Sequence, residues 1–305
     1  MLSLCRQNLG EHITSLHENL FFAEEIPLEP ITFQSAVHAR MQVRKNDLTR
    51  DMEPPPHVRG ERNRSLSNSS PKLTISIPAY NDGETIEAVI HEAIEAARKV
   101  TDHFDILIIN DGSRDDTADR VKRLQLSIPN LRYHEHPVNL GFGPTIREAY
   151  TLPQSEWVYF IPGDNQCPAE EVVTLFRSAD RADLILGYRV TRNDTWQRRF
   201  VSWFYNLMIS IVAFRRVHDT NAAGLLRRAS LDASKLHSRT AFIHAEILLE
   251  VLRQGGRLLE VPASHRPREH GTPSGNKWRV ILGTFKELWL YALDRRLGIP
   301  TWRNR

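Results

Sequence analysis

With only two cysteines, Cys5 and Cys167, in 305 residues, the chain cannot hold a disulfide framework and suits a reducing compartment. No stretch reaches the ~20 apolar residues of a membrane-spanning helix. The longest candidate, residues 200–214, is broken by Ser202, Asn206 and Ser210 and has arginines at both ends. The N-terminus lacks a basic segment followed by a clean apolar run, the mark of a secretory signal. Zinc-finger spacing and RNA-binding aromatic signatures are missing, which argues against a nucleic-acid partner. The expectation is a soluble or peripheral protein of the cytoplasm.

What is present is ordinarily globular, with 41% hydrophobic and 25% charged residues, enough for one large domain or two small ones. The net charge of +3 is unevenly spread: residues 251–305 hold eleven Lys and Arg against four Asp and Glu. Such a segment suits a phosphate-bearing ligand or an anionic membrane surface. Residues 1–70 read as an N-terminal extension, partly disordered, with short helices over 13–22 and 31–43 and a Pro/Arg/Ser-rich linker. A catalytic domain is expected over 71–275, followed by a basic amphipathic helix and tail over 276–305.

From residue 71 strands and helices alternate. Apolar runs predict strands at Leu73–Ile77, Phe104–Asn110, Leu131–His134, Trp157–Ile161 and Asp183–Gly187. Helical spacing predicts helices over 82–100, 117–126, 143–152 and 169–179. This grammar is that of an α/β fold with a mainly parallel, doubly wound sheet flanked by helices.

Four loops carry the chemistry, each at the carboxyl end of a predicted strand, where open α/β sheets build ligand sites. Pro78-Ala79-Tyr80-Asn81-Asp82 opens a helix, and Asp82 can cap it. Asn110-Asp111-Gly112-Ser113 places a carboxylate directly after a buried strand, with Asp115 or Asp116 available as a helix cap. Asn139-Leu140-Gly141-Phe142-Gly143 has glycines that permit close backbone approach. Gly163-Asp164-Asn165-Gln166 offers two hard oxygen donors, Asp164 and Gln166, suited to Mg²⁺ or Mn²⁺. Each loop alone also reads as an ordinary capped turn.

Taken together, in order and spacing, the four loops resemble glycosyltransferase family 2, inverting enzymes of the GT-A fold, over about residues 73–274. The likeness is greatest to the dolichyl- or polyprenyl-phosphate sugar synthases. It rests there on Gly187-Tyr188-Arg189, on Arg198 through Ser202, on Asp219-Thr220-Asn221, and on Glu260-Val261-Pro262 with Arg268-Glu269-His270-Gly271. The resemblance implies that Pro78, Tyr80, Asp82, Asp111 and Gly163 line the donor nucleotide pocket. It implies that Asp164 and Gln166 hold the divalent metal, and that Arg189, Arg198, Ser202 and Arg268 surround the donor diphosphate and the acceptor phosphate. Asp164, Arg198 and Arg268 are thereby the candidate catalytic residues. Two positions depart from the family pattern: Pro162 stands where a further carboxylate is usual, and Ala223 where relatives often have Gly.

The expected reaction moves a sugar from a GDP- or UDP-linked donor to a polyprenyl phosphate. Arginines and a metal offset the repulsion between two anionic substrates. Two alternatives stay open. One is a hydroxyl acceptor, with His218, Asp219, His244, Glu246 or His265 as base; the other is a silent nucleotide-sugar-binding protein. Helices over 200–214 and 277–297 carry apolar stripes flanked by cations, suited either to the core or to a membrane interface. The expected place is the cytoplasmic membrane face, peripherally bound, with the oligomeric state open.

Overall fold

The computed structural model describes residues 72–189, 196–266, 278–297 and 302. The expectations for residues 1–70, and for Arg268 and its neighbours, fall outside these. Seven strands form one sheet: β1 (Leu73–Ala79), β2 (Phe104–Asn110), β3 (Leu131–Glu135), β4 (Trp157–Phe160), β5 (Leu184–Arg189), β6 (Gly224–Arg227) and β7 (Leu258–Ala263). The spatial order is β3-β2-β1-β4-β6-β5-β7. β1 pairs in parallel with both β2 and β4, so the strand order reverses at the β1/β4 boundary. β6 alone runs antiparallel, between β4 and β5.

Helices are α1 (Ile86–Arg98), α2 (Thr117–Gln125), α3 (Phe142–Thr151), α4 (Glu171–Phe176), α5 (Trp196–Ala213), α6 (Phe242–Arg253) and α7 (Trp278–Leu297). Side chains alternate across the strands and build a core on each face. Ile106, Ile108, Trp157 and Tyr159 join Ile90 and Ala93 of α1 and Val172 and Leu175 of α4. Leu107, Ile109, Val158 and Phe160 join Ile146 of α3, Ile209 of α5, Ile247 of α6 and Leu288 of α7. The doubly wound expectation is borne out.

The structure alters several details. The helix expected from Asp82 begins at Ile86, because Asp82-Gly83-Glu84-Thr85 forms a turn in which the Asp82 carbonyl accepts from Thr85 and Ile86 N–H. The helix expected over 169–179 shortens to α4. α6, β6 and β7 are further elements beyond those the apolar patterning predicts.

The two amphipathic helices resolve into faces. On α5, Tyr205, Asn206 and Ile209 point inward, while Trp196, Phe200, Trp203, Phe204, Leu207, Ile211 and Phe214, which follows the helix, are exposed. On α7, Leu288 and Tyr291 are buried, whereas Trp278, Leu282 and Trp289 are exposed. The helices meet where Phe285 packs against Phe204 and Tyr205, ring centroids 5.7 Å apart in both pairs. Among the described residues no helix is long and apolar enough to cross a membrane.

Candidate functional site

The four strand-end loops lie together at the β1/β4 reversal and are stitched by side chains of one loop on the backbone of the next. Asn81 N–H donates to Ser113 Oγ at 3.0 Å, and Arg114 N–H to Asn81 Oδ1 at 2.8 Å. Asp115 accepts Gly83 N–H at 3.0 Å and Thr117 N–H at 3.1 Å. Burial alone would raise its pKa, but these bonds and one from the Thr117 hydroxyl hold the carboxyl below its ordinary value. Of the two expected caps, Asp115 therefore serves both α2 and the first loop.

The β1 and β4 loops are joined through Gly163. Its N–H donates to the Pro78 carbonyl at 3.1 Å, and its own carbonyl accepts from Thr85 Oγ1 at 2.7 Å. The Asp82 carboxylate turns back to accept Tyr80 N–H at 3.0 Å. A methyl group placed on Gly163 would lie 3.0 Å from Asp82 Oδ2, so the Asp82 carboxylate borders the Asp164 turn. Pro78, Tyr80, Asp82 and Gly163 are thus brought together; Tyr80 is exposed and Gly163 buried.

Asp111 is deeply buried, and its carboxylate is occupied from within. Oδ1 accepts Leu140 N–H at 2.8 Å, Oδ2 accepts Gly141 N–H at 3.0 Å, and His136 Nδ1 lies 2.8 Å from Oδ1. Three of about four acceptor positions are taken, so Asp111 clamps the Asn139-Leu140-Gly141 loop against the end of β2. Burial works against a charged His136, yet its hydrogen bonds to Asp111 and Glu148 outweigh that, and its pKa stands above the ordinary histidine value.

Asp164 and Gln166 occupy a tight turn. Gln166 N–H donates to Asp164 Oδ1 at 3.1 Å, and Asn165 between them is left-handed, φ 60°. Asn81 in the first loop is left-handed as well, φ 56°. Asparagine tolerates this region better than most residues. Arg266 fixes the turn from outside: it forks onto Glu92 at 2.7 and 3.1 Å and donates to Asn165 Oδ1 at 2.8 Å. A carboxylate, a carboxamide and the bordering Asp82 form an all-oxygen donor set, which fits Mg²⁺ or Mn²⁺. Sequence reasoning missed Arg266; a basic residue two positions before Arg268 was its only signal.

Beyond the turn, a narrow cleft with room of about 30 Å³ opens between the ends of β4, β5 and β7, lined by Tyr159, Cys167, Arg189, Asn221, Ala223 and His265 among others. Arg189 forks onto the buried Asp219 at 2.7 and 3.1 Å, which commits two of its five N–H donors. Burial pushes the Cys167 thiol up to about 12, so it is an inert wall. Arg198 and Ser202 stand one turn apart at the start of α5, Arg198 exposed and Ser202 half-buried. Arg268 lies outside the described residues.

Of the five residues considered as a base, His265 lines the cleft. Burial, and then the Arg189 charge, lower its pKa and keep it neutral. Asp219 is committed to Arg189, and His218 pairs with Glu260 at 2.9 Å. His244 is buried against Phe142 and Phe160, where burial lowers its pKa to about 4. Glu246 is fully buried on α6 and, among the described residues, accepts from His237, Ser238 and Trp302.

Gly112 has φ 64°, and a methyl group there would meet the Val138 backbone carbon at 2.6 Å and Asn139 N at 2.7 Å. Gly112→Ala is expected to cost about 2–4 kcal/mol through left-handed strain and backbone overlap. Urea unfolding measures it; an unchanged midpoint would contradict the close approach of the two loops.

The family model described as Glycosyl transferase family 2 matches residues 74–234. An undecaprenyl-phosphate 4-deoxy-4-formamido-L-arabinose transferase of Edwardsiella ictaluri (strain 93-146) is 26% identical over 212 residues, which are 68% of this chain. That match spans 64% of the relative's own length. Among solved structures, the glucosyl-3-phosphoglycerate synthase of Mycobacterium tuberculosis with Mn²⁺, UDP and phosphoglyceric acid is similar with a TM-score of 0.57 and 18% identity, over 75% of this chain and 80% of that one. A mannosyltransferase from Pyrobaculum calidifontis, solved with GDP-Man and Mn²⁺, gives a TM-score of 0.51 and 15% identity, over 78% of this chain and 68% of that one. These likenesses are of fold, and they bear out the expected GT-A architecture. With a family model spanning more than half of its length, over the segment that carries all four loops, the chain belongs to glycosyltransferase family 2.

Proposed function

We propose that the chain moves a sugar from a nucleotide diphosphate donor to a polyprenyl phosphate, with inversion, at a membrane surface. The observation that carries this reading is positional. The cleft beside the strand-end loops is bordered by Arg189 at the end of β5, and the next described element, α5, turns a stripe of aromatic and aliphatic side chains outward. A stripe of that kind beside cationic residues suits a lipid interface. The exposed face of α7 and the basic C-terminal segment add to it, and the surface meant is the cytoplasmic one. The name of the Edwardsiella relative supports a lipid-phosphate acceptor. The UDP and GDP-Man complexes of the two fold neighbours leave the donor base open between uracil and guanine.

In the reaction an acceptor phosphate oxygen attacks the anomeric carbon, and the bond to the donor diphosphate breaks with its electron pair leaving on the nucleoside diphosphate. The acceptor is already ionised, so no strong base is required. Asp164 and Gln166 would hold Mg²⁺ or Mn²⁺, which when bound would supply positive charge against the leaving diphosphate. Pro78, Tyr80, Asp82 and Gly163 line the nucleotide pocket, and Asp111 fixes its wall. Arg189, Arg198, Ser202 and Arg268 receive phosphate oxygens. The test is to incubate the purified chain with Mg²⁺ or Mn²⁺, a panel of GDP and UDP sugars, and vesicles carrying polyprenyl phosphate. Lipid-linked sugar together with free nucleoside diphosphate is expected; its absence across the whole panel overturns the reading.

A second reading, transfer to a hydroxyl acceptor, draws on His265, a neutral imidazole in the cleft. It predicts glycosylated hydroxyl compound, no lipid product, and loss of activity in His265→Ala.

Phe214 separates membrane binding from folding. It is 84% exposed yet left-handed, φ 51°. Glycine would relieve about 1 kcal/mol of strain and remove an aromatic ring worth roughly tenfold in surface affinity. Phe214→Gly is therefore expected to unfold at higher urea and to sediment less with anionic vesicles. Unchanged vesicle binding would remove this face from the proposal.

A further inference from the structure

His134 lies on β3 and His136 directly follows it, with the His136 N–H still paired to the Asn110 carbonyl at 2.9 Å, so strand alternation carries on and puts both imidazoles on one face, and α3 brings Glu148 over that face. Glu148 Oε2 lies 2.8 Å from His136 Nε2 and 3.2 Å from His134 Nε2. The three potential ligand atoms lie within 4.8 Å of one another. Around a tetrahedral cation with bonds of about 2.0–2.2 Å, ligand atoms stand about 3.3–3.5 Å apart, so a small widening admits one.

The proton count makes the arrangement informative. Both nitrogens of the buried His136 face carboxylates, Asp111 on Nδ1 and Glu148 on Nε2, each at 2.8 Å. A neutral imidazole has one N–H and cannot serve both. Either the ring carries a second proton, or, with its one proton on Nδ1 and donated to Asp111, a cation stands between the Nε2 lone pair and Glu148. His134 Nε2 lies 3.2 Å from the same oxygen. One cation among the three atoms satisfies all of them and offsets two carboxylate charges. A ligand histidine whose other nitrogen is held by a carboxylate is also how protein metal sites fix their rings.

We propose that His134, His136 and Glu148 bind a divalent cation of the zinc class, separate from the Asp164–Gln166 site, with Asp111 as the outer support of His136. Two imidazoles and one carboxylate favour zinc over Mg²⁺, which prefers oxygen alone. His134 is 44% exposed, which gives the ion a path in and leaves room for water as fourth ligand. Through Asp111 the ion would brace the Leu140–Gly141 backbone, tying β3 and α3 to the pocket wall. Its role is structural, and it does not depend on which acceptor the enzyme uses.

The test is a zinc titration of the metal-stripped full chain against a chromophoric chelator, repeated with Co²⁺ to read ligand-field absorption. One tight zinc equivalent is expected in the wild type and in Asp164→Ala. His134→Ala and Glu148→Gln should each weaken it by roughly 100-fold, since losing a ligand costs at least as much as losing its outer partner. Co²⁺ should show tetrahedral absorption that both variants lose. His134→Asn is the reserve should the alanine variant misfold. The proposal is overturned by a wild type without zinc affinity, which makes His136 an imidazolium between two carboxylates, or by affinity that survives in both variants.

Discussion

Asp164→Ala is expected to lower metal-dependent sugar transfer by about two to three orders of magnitude, the range for loss of a group that stabilises charge developing on a leaving oxygen. The fold should survive. The turn is held by Arg266 through Asn165 and Glu92, and by the Gly163 bonds to Pro78 and Thr85, none of which uses the Asp164 carboxylate. Turnover against Mg²⁺ and Mn²⁺ concentration, beside a thermal midpoint, separates the two effects. Asp164→Asn is the sharper companion: it keeps the acceptor for Gln166 N–H and removes the charge. Pro162 leaves the turn without the further carboxylate usual in the family, so on the proposed reading Asp164 would carry more of the electrostatics here. Unchanged turnover in Asp164→Ala would reduce the segment to a structural turn.

The largest loss of stability is expected at Glu246. Its two oxygens accept His237 N–H at 2.9 Å, Ser238 N–H at 2.9 Å and the Trp302 indole N–H at 2.7 Å, with no exposure to solvent. Glu246→Ala strands these donors and opens a cavity, a cost of about 3–5 kcal/mol, read from urea unfolding at neutral pH. A near-neutral result would mean that water replaces the carboxylate. Loss of activity in this variant would therefore report unfolding and say nothing about an acceptor base. Burial raises the Glu246 carboxyl to about 7, against the three N–H donors that pull it down. A carboxyl raised on folding contributes its stability below the unfolded value of about 4.5 and loses it as pH climbs through about 7. The wild type should thus lose stability relative to Glu246→Gln across that window, and parallel pH profiles would contradict the shift.

Much of the sheet was legible because β1, β2, β4 and β5 are short apolar runs that stop at turn residues, and α1 keeps its apolar positions at helical spacing. β6 was not, since Gly224–Arg227 is four residues long and owes its place to β4 and β5. β7 contains Pro262, which speaks against a strand; it is tolerated because β7 is the edge of the sheet. That the candidate loops follow strand ends was legible, and the partnerships of their side chains were not. Asp111 reads as a ligand-facing carboxylate, yet it spends itself on Leu140, Gly141 and His136. Arg189 reads as a phosphate fork, yet it grips Asp219. Arg266 reaches Glu92 across 174 residues and Asn165 across 101. Such pairings are set by tertiary approach, which local pattern does not encode.

The single antiparallel strand also bears on how the chain is made. β1, β2 and β3 find their neighbours locally, but Trp157 of β4 waits for Arg227 of β6, and Leu184 of β5 for Leu258 of β7. During synthesis the N-terminal half of the sheet can close while β4, buried at every position once folded, still presents an unpaired apolar edge. Such an edge is a template for the wrong partner. The nascent chain is thus most vulnerable to aggregation in the interval between the emergence of β4 and that of β6.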